Sequence, residues 1–343
     1  MAASFRFTGP ACCCCNDIYK ANFLELVRVK EGQAESVNEI DGVDDPDVPT
    51  KFAFDHRNKK VYYILGLDFD EIRVRNKYLN DPQVVFTLSS PYETGGASGL
   101  GIHPGNEHIY YGCSETSTPD TERYIRRVNY DGTGDVEIIH HPDNTTAGGF
   151  QARIIAVSRD DEYVFYYMQY NVALSGGKLP EIRRCNSDGS GDIQIWEAAT
   201  TDDFVHQSMD VDNTNSKLIW AHDYKSGADR GSKLMRCDFD GSNLETLLDA
   251  PPGSTTGGQW WISGANWSHK HERIYYWHGY YFGSVGSAVI DDTGGLYSML
   301  ADGTDIREEV VPANEKWHPF VDEDVNQLEL GCGYETTGAD TLA

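Results

Sequence analysis

Histidine, tryptophan, tyrosine and one arginine are the side chains of this sequence whose type and position could do chemistry. They gather in a few segments: Arg153 in FQARIIAV, His206 and Gln207 in FVHQSMDV, Trp260 and Trp261 in QWWISG, His278, Tyr280 and Tyr281 in WHGYYF, and Trp317 with His318 in EKWHPF. Guanidinium and imidazole groups can donate hydrogen bonds to an oxygen that gains charge, and aromatic faces can wall an apolar pocket. We therefore expect Arg153, His206 and His318 as catalytic donors, and Trp261, His278, Tyr281, Trp317 and Gln207 as substrate contacts. The sequence contains no G-x-S-x-G, H-E-x-x-H, phosphate-binding or dinucleotide-binding fingerprint, so the hydrolases and nucleotide enzymes that use them lose their usual support. The expectation is an organic pocket with no cofactor and no metal.

A repeat has to position these residues. YIRRVNYDGTGDVEII begins at Tyr124, and relatives of it return at Glu181 and Lys233. Its first apolar position falls at Ile18, Ile72, Ile125, Ile182, Leu234 and Leu296, with separations between 52 and 62 residues. A second motif, an apolar residue followed by a polar turn and an aromatic strand, also occurs six times, as in IHPGNEHIYY and WSHKHERIYY. Asp-Gly pairs at Asp131, Asp188, Asp240 and Asp302 supply the positive φ that short hairpin connections need.

Each unit reads as strand A, a tight turn, aromatic strand B, a loop, strand C, an Asp-Gly turn and strand D. Six such units predict an all-β, six-bladed β-propeller filling residues 1–343 as one domain. The first unit begins at a strand C, DIYKANF, after a Cys-rich lead segment of residues 1–16. The last segment, PFVDEDVNQLELGCGY, supplies an A and a B. One blade is thus expected to be shared between the N- and C-terminal strands. That brings Cys332 near Cys12, Cys13, Cys14 and Cys15, and a disulfide between Cys332 and one of the four would staple the ring. A soft-metal site and free or acylated thiols are the alternatives for the cluster, although contiguous Cys lack the usual C-x-x-C spacing. Cys185 and Cys237 share the register of Val128 and read as core residues.

Within a unit, the A–B and C–D turns are short, whereas the B–C and D–A connections are long: SETSTPDTER, QYNVALSGGKLP, HDYKSGADRGS, PPGSTTGGQWWISG and HGYYFGSVGSAVIDDTGG. Long loops gathered on one face of a rigid scaffold are where function concentrates. Near the start of each strand A, the register aligns Ser98, Arg153, Gln207, Ser263 and Trp317 around the axis.

Composition limits the partners. A formal charge of −26 repels phosphate backbones, so nucleic acid is not expected. No apolar run is long enough for a membrane span or a signal peptide. The expected protein is soluble, either cytoplasmic or secreted with its leader removed. Sequons at Asn144 and Asn266 favour secretion weakly, the second falling within an expected buried strand.

The aromatic strands IYY, FYY, LIW and IYYW, with the R-x-N-x-D-G segment in VNYDGTG and CNSDGSG, make the chain resemble the YWTD, or LDL-receptor class B, six-bladed propellers. The resemblance implies a protein-binding module of receptor or structural type. It departs at the position where that family carries Asp, which here holds Leu65, Cys113, Met168, His222, His278 and Cys332. In overall type the chain is also similar to the fungal propeller hetero-Diels-Alderases of tropolone-sesquiterpenoid biosynthesis. That similarity implies a cofactor-independent cyclase for secondary-metabolite biosynthesis, folding a small apolar substrate in an axial funnel. The leading expectation is this cyclase. The alternative is a non-catalytic propeller whose acidic face docks a protein.

Overall fold

The computed structural model describes residues 17–21, 25–30, 36–41, 49–55, 58–65, 71–76, 81–90, 92–93, 99–115, 123–141, 151–158, 162–170, 178–201, 203–226, 229–253, 259–269, 271–282, 289–290, 295–310 and 318–322. No helix occurs among them, and none is therefore long and apolar enough to cross a membrane.

The strands in chain order are β1 (Asp17–Ala21), β2 (Glu25–Lys30) and β3 (Ser36–Asp41); β4 (Pro49–Asp55), β5 (Lys60–Leu65), β6 (Glu71–Asn76) and β7 (Gln83–Thr87); β8 (Tyr92–Glu93), β9 (Leu100–His103), β10 (His108–Glu115), β11 (Arg123–Asn129) and β12 (Val136–His141). They continue with β13 (Gln151–Val157), β14 (Tyr163–Gln169), β15 (Glu181–Asn186) and β16 (Ile193–Glu197); β17 (Phe204–Asp212), β18 (Lys217–Ser226), β19 (Asp229–Asp238) and β20 (Glu245–Gly253). Last come β21 (Gln259–Ser268), β22 (Arg273–Phe282), β23 (Val289–Ile290), β24 (Gly295–Leu300), β25 (Arg307–Val310) and β26 (His318–Asp322). All pairings are antiparallel, in the orders β4-β5-β6-β7, β9-β10-β11-β12, β13-β14-β15-β16, β17-β18-β19-β20 and β21-β22-β24-β25, with β8 and β23 as short additions. A further sheet, β26-β1-β2-β3, joins the two ends of the described chain. Of the six units expected, five are thus described with side chains, and the sheet built from both ends is described by its backbone alone.

The first strands of successive sheets touch one another in chain order, from β4 through β9, β13, β17 and β21 to β26. The sheets therefore radiate from a common centre. Their cores lie between neighbours. Phe165 and Tyr167 of β14 pack towards β17–β20 with Trp196, Leu218 and Trp220, while Val164, Tyr166 and Met168 of the same strand pack towards β10–β12 with Ile138 and Ile139. Alternation buries both faces, so second strands read as unbroken apolar runs such as VFYYM.

The third and fourth strands keep one register throughout. Ile72 faces Phe86, Ile125 faces Ile139, Ile182 faces Trp196, Leu234 faces Leu248 and Leu296 faces Val310. In each of these five the ladder shifts immediately afterwards, between Ile72/Arg73, Ile125/Arg126, Ile182/Arg183, Leu234/Met235 and Leu296/Tyr297. The turn that follows presses on the preceding sheet. Gly189 has φ +86°, and a Cβ there would stand 2.0 Å from the carbonyl oxygen of Ile138, so both conformation and contact require glycine. Asp188 closes the same turn by accepting from the Ser190 amide (2.9 Å) and hydroxyl (2.6 Å). In three of the sheets an arginine then staples the sheet to the next: Arg127 donates to Ser187 O (3.3 Å), Arg184 to Phe239 O (3.1 Å) and Arg236 to Ala301 O.

Two expectations need correction. Ile18 does not begin a third strand: it lies in β1, the second strand of its sheet, opposite Val321 of β26. The third strand is β2, where Leu26 faces Ile40. Among the described residues the shared sheet thus takes one strand from the C-terminal side and three from the N-terminal side, because DIYKA pairs directly beside β26. HDYKSGADRGS is not a long loop either. β18 and β19 pair as far as Ser226 and Asp229, since the backbone hydrogen bonds of an antiparallel ladder run through polar residues as readily as through apolar ones.

Candidate functional site

Several of the innermost strands interrupt their ladder to the second strand. In β13 the ladder to β14 passes from Ala152 to Ile154 and leaves Arg153 outside the pairing. In β17 it passes from Val205 to Met209, leaving His206, Gln207 and Ser208 outside. In β21 it passes from Ser263 to Asn266, and Gly264 there takes φ +68°. β4 skips one residue at the same end, between Pro49 and Lys51. Extra residues of this kind bend a strand and re-aim a side chain, and they occur often beside active sites.

These irregularities collect several expected site residues on adjacent strands. Arg153 lies on β13, His206 and Gln207 on β17, Trp261 on β21 and His318 at the start of β26, and these innermost strands touch in that order. His278 and Tyr281 lie on β22, where they face Ile262 and Gln259 of β21. Trp317 falls outside the described residues, as do Cys332 and Cys12 to Cys15. Asp210, close beyond the β17 bulge, ties two inner strands together by accepting from the Trp267 amide at 2.7 Å.

The position at which the sequence departs from the YWTD pattern has a clear physical environment. Cys113, Met168 and His222 lie on second strands and pack with apolar residues of the preceding sheet: Cys113 in one cluster with Leu88, Met168 in one with Ile139, and His222 against the Trp196 ring. An aspartate there would be buried against hydrocarbon. Burial pushes the Cys113 thiol up to about 12 and holds the His222 imidazole down at about 4, neutral at ordinary pH. Burial lowers His278 as well, where it sits edge-on to Tyr297 at 5.8 Å.

Cys185 and Cys237 are fully buried and unpaired by any disulfide, and burial raises both thiols to about 12. They fill the core as expected and are poor nucleophiles. Asn266 of the second sequon is also buried, and its amide donates to Ala265 O at 2.8 Å. No group of His, Cys, Asp and Glu arranged to hold a metal occurs among the described residues. Trp196 and Trp220 are absent from the residues expected at a site. The register motif places Trp196 opposite Ile182, and its size there is the available signal.

Radiating four-stranded sheets whose first strands line a common centre define the fold. The chain is a β-propeller. It is similar to a chain from the crystal structure of a nidogen/laminin complex, with 13% identity and a TM-score of 0.55 over 90% of this chain and 99% of that one. It also overlaps a puromycin-hydrolysing peptidase of Mycobacterium tuberculosis, with 10% identity and a TM-score of 0.50 over 85% of this propeller and 46% of the peptidase chain. At these identities the likeness concerns the fold. No family model matches the sequence, and a search of curated proteins gives no match.

Proposed function

We propose that the propeller binds a small apolar molecule at its centre, on the face of the B–C and D–A connections, and promotes its cyclisation without a cofactor. The observation that carries this reading is the set of bulges in β13, β17 and β21, which takes Arg153, His206 and Gln207 out of the ladder on neighbouring inner strands. In this reading Arg153, His206 and His318 donate hydrogen bonds to a carbonyl or quinone-methide oxygen as charge grows on it. Trp261, Tyr281 and Trp317 hold the apolar partner in a reactive pose, with His278 and Gln207 completing the contacts. A hetero-Diels-Alder addition fits such a site because it needs no nucleophile. We further propose that the ring has six blades, closed by the β26-β1-β2-β3 sheet. This is supported by Leu26 facing Ile40 as Ile125 faces Ile139.

The charge of −26 favours a second reading, in which the same face docks a basic protein. One assay separates the two. The purified protein is incubated with an acyclic terpene polyene and a quinone methide generated in solution, and the rate and enantiomeric excess of the adduct are measured. The cyclase reading expects an enriched enantiomer and at least a tenfold loss of rate in Arg153→Ala and His206→Ala. A racemic adduct at the background rate overturns it, and salt-sensitive binding of a lysine-rich peptide would then favour docking.

A further inference from the structure

The fourth strand of each sheet is an outer edge, and among the described residues no strand lies beyond β3, β7, β12, β16, β20 or β25. An unpaired edge is a template for another strand, and folded proteins guard it with charge. All but one of these edges are guarded. β3 holds Glu39 and Asp41, β12 holds Glu137, β16 ends on Glu197, β20 starts on Glu245 and β25 reads REEV. β7 reads QVVFT, without a charge. The uncharged run extends from Pro82 to Tyr92.

The exposed aliphatic side chains show the same contrast. Val136 follows Asp135, Ile193 follows Asp192, Leu244 precedes Glu245 and Ile306 lies between Asp305 and Arg307, whereas Val84, 51% exposed, lies between Gln83 and Val85. The Gly132 turn of the next sheet meets β7 at the Val85 carbonyl, the residue that the β6–β7 ladder skips, just as Gly189 meets Ile138 and Gly241 meets Ile195. That contact is common to these edges and does not set β7 apart. Charge decides the kind of partner. Residues 49–90, which carry β4 to β7, hold seven Lys and Arg against five Asp and Glu, while the whole chain holds 28 against 54. In each of the other sheets acidic residues outnumber basic ones. Lys60 is exposed at the start of β5, and Arg73, paired with Glu71, sits opposite Val84.

We propose that the outer edge of β7 docks an extended acidic segment of another protein, which adds a strand to the β4–β7 sheet. Main-chain hydrogen bonds along β7 hold the segment, its apolar side chains rest beside Val84, and its carboxylates meet the one sheet with a cationic excess. A basic segment would be repelled by that sheet. The charge of −26 on a second copy of this chain opposes self-pairing at the same edge. The inference goes beyond the axial reading and does not depend on it.

The test adds a short labelled peptide of alternating glutamate and valine, and separately its lysine and valine counterpart, to the full chain, following fluorescence anisotropy and amide hydrogen exchange. The expected result is saturable binding of the glutamate peptide with slowed exchange at residues 83–87 and none at 193–197. The lysine peptide should leave exchange at 83–87 unchanged, wherever else it settles on the acidic surface. Val84→Glu should weaken the glutamate peptide at least tenfold, and Ile193→Glu, on the guarded edge β16, should leave it within about twofold. If Val84→Glu fails to fold, exchange at 83–87 in the unaltered protein decides. Equal protection of β7 by both peptides, or by neither, overturns the proposal. So does dimerisation in sedimentation that Val84→Glu abolishes, since the edge then belongs to a second copy.

Discussion

The two faces of the propeller are built on opposite plans. On the turn face the elements hold the sheets in place, since Gly189 presses against Ile138, Arg127, Arg184 and Arg236 reach the next sheet, and Asp188 locks its own turn. On the connection face, the inner strands interrupt their own ladders at Arg153, at His206 to Ser208 and at Gly264. Regularity on one side fixes the sheets to one another, which lets the other side depart from regular pairing. Stability and function should therefore separate by face.

The largest effect that could break this comparison is at Gly189. Gly189→Val forces a branched side chain into positive φ and into the Ile138 carbonyl, so we expect a loss of about 3 kcal/mol or more in urea unfolding. A loss under about 1 kcal/mol would mean that the turn is not a packing element. Next comes acid. The His222 imidazole is held down at about 4 against an ordinary value of 6.5, so the unfolded chain binds the extra proton between those values. Stability from this group is complete above pH 6.5 and falls as the pH drops towards 4, by about 3 kcal/mol in all. Thermal melts across that window should show the slope, and His222→Gln should flatten it. An unchanged slope in the variant would assign the acid sensitivity to other groups.

A smaller effect is expected at the staple. Arg184 donates to Phe239 O and lies 4.4 Å from the centroid of the Tyr163 ring, and Arg184→Met should cost about 1–2 kcal/mol in denaturant melts. Loss of adduct formation at full stability would blur the division between faces. The smallest expected response is none: peptide mapping after treatment with a thiol reagent should leave Cys113, Cys185 and Cys237 unmodified in the folded protein, because burial keeps them as thiols. Labelling without unfolding would show that the sheet interiors open.

How much of this is legible in the sequence depends on the kind of order involved. Second strands announce themselves because both faces are buried, and Asp-Gly turns because positive φ and close approach admit little else. The third strand of the terminal sheet is misread at Ile18 because no Asp-Gly pair follows Leu26 within its hairpin to mark its register. The extension of β18 and β19 is hidden because polar residues at a hairpin tip read as loop. Bulges are not legible at all: an extra residue in one strand appears only when its partner's register is known. The segments holding Arg153, His206 and Trp261 can be named from their residue types, but the withdrawal of Arg153 and His206 from the ladder cannot.

The most direct test of the division between faces is a crystal structure of the protein soaked with the polyene used in the cyclisation assay. The account predicts ordered ligand at the centre of the connection face, in contact with Arg153, His206 and Trp261. Ligand seated only on the A–B and C–D turns, or an axis closed by those same side chains, would contradict it.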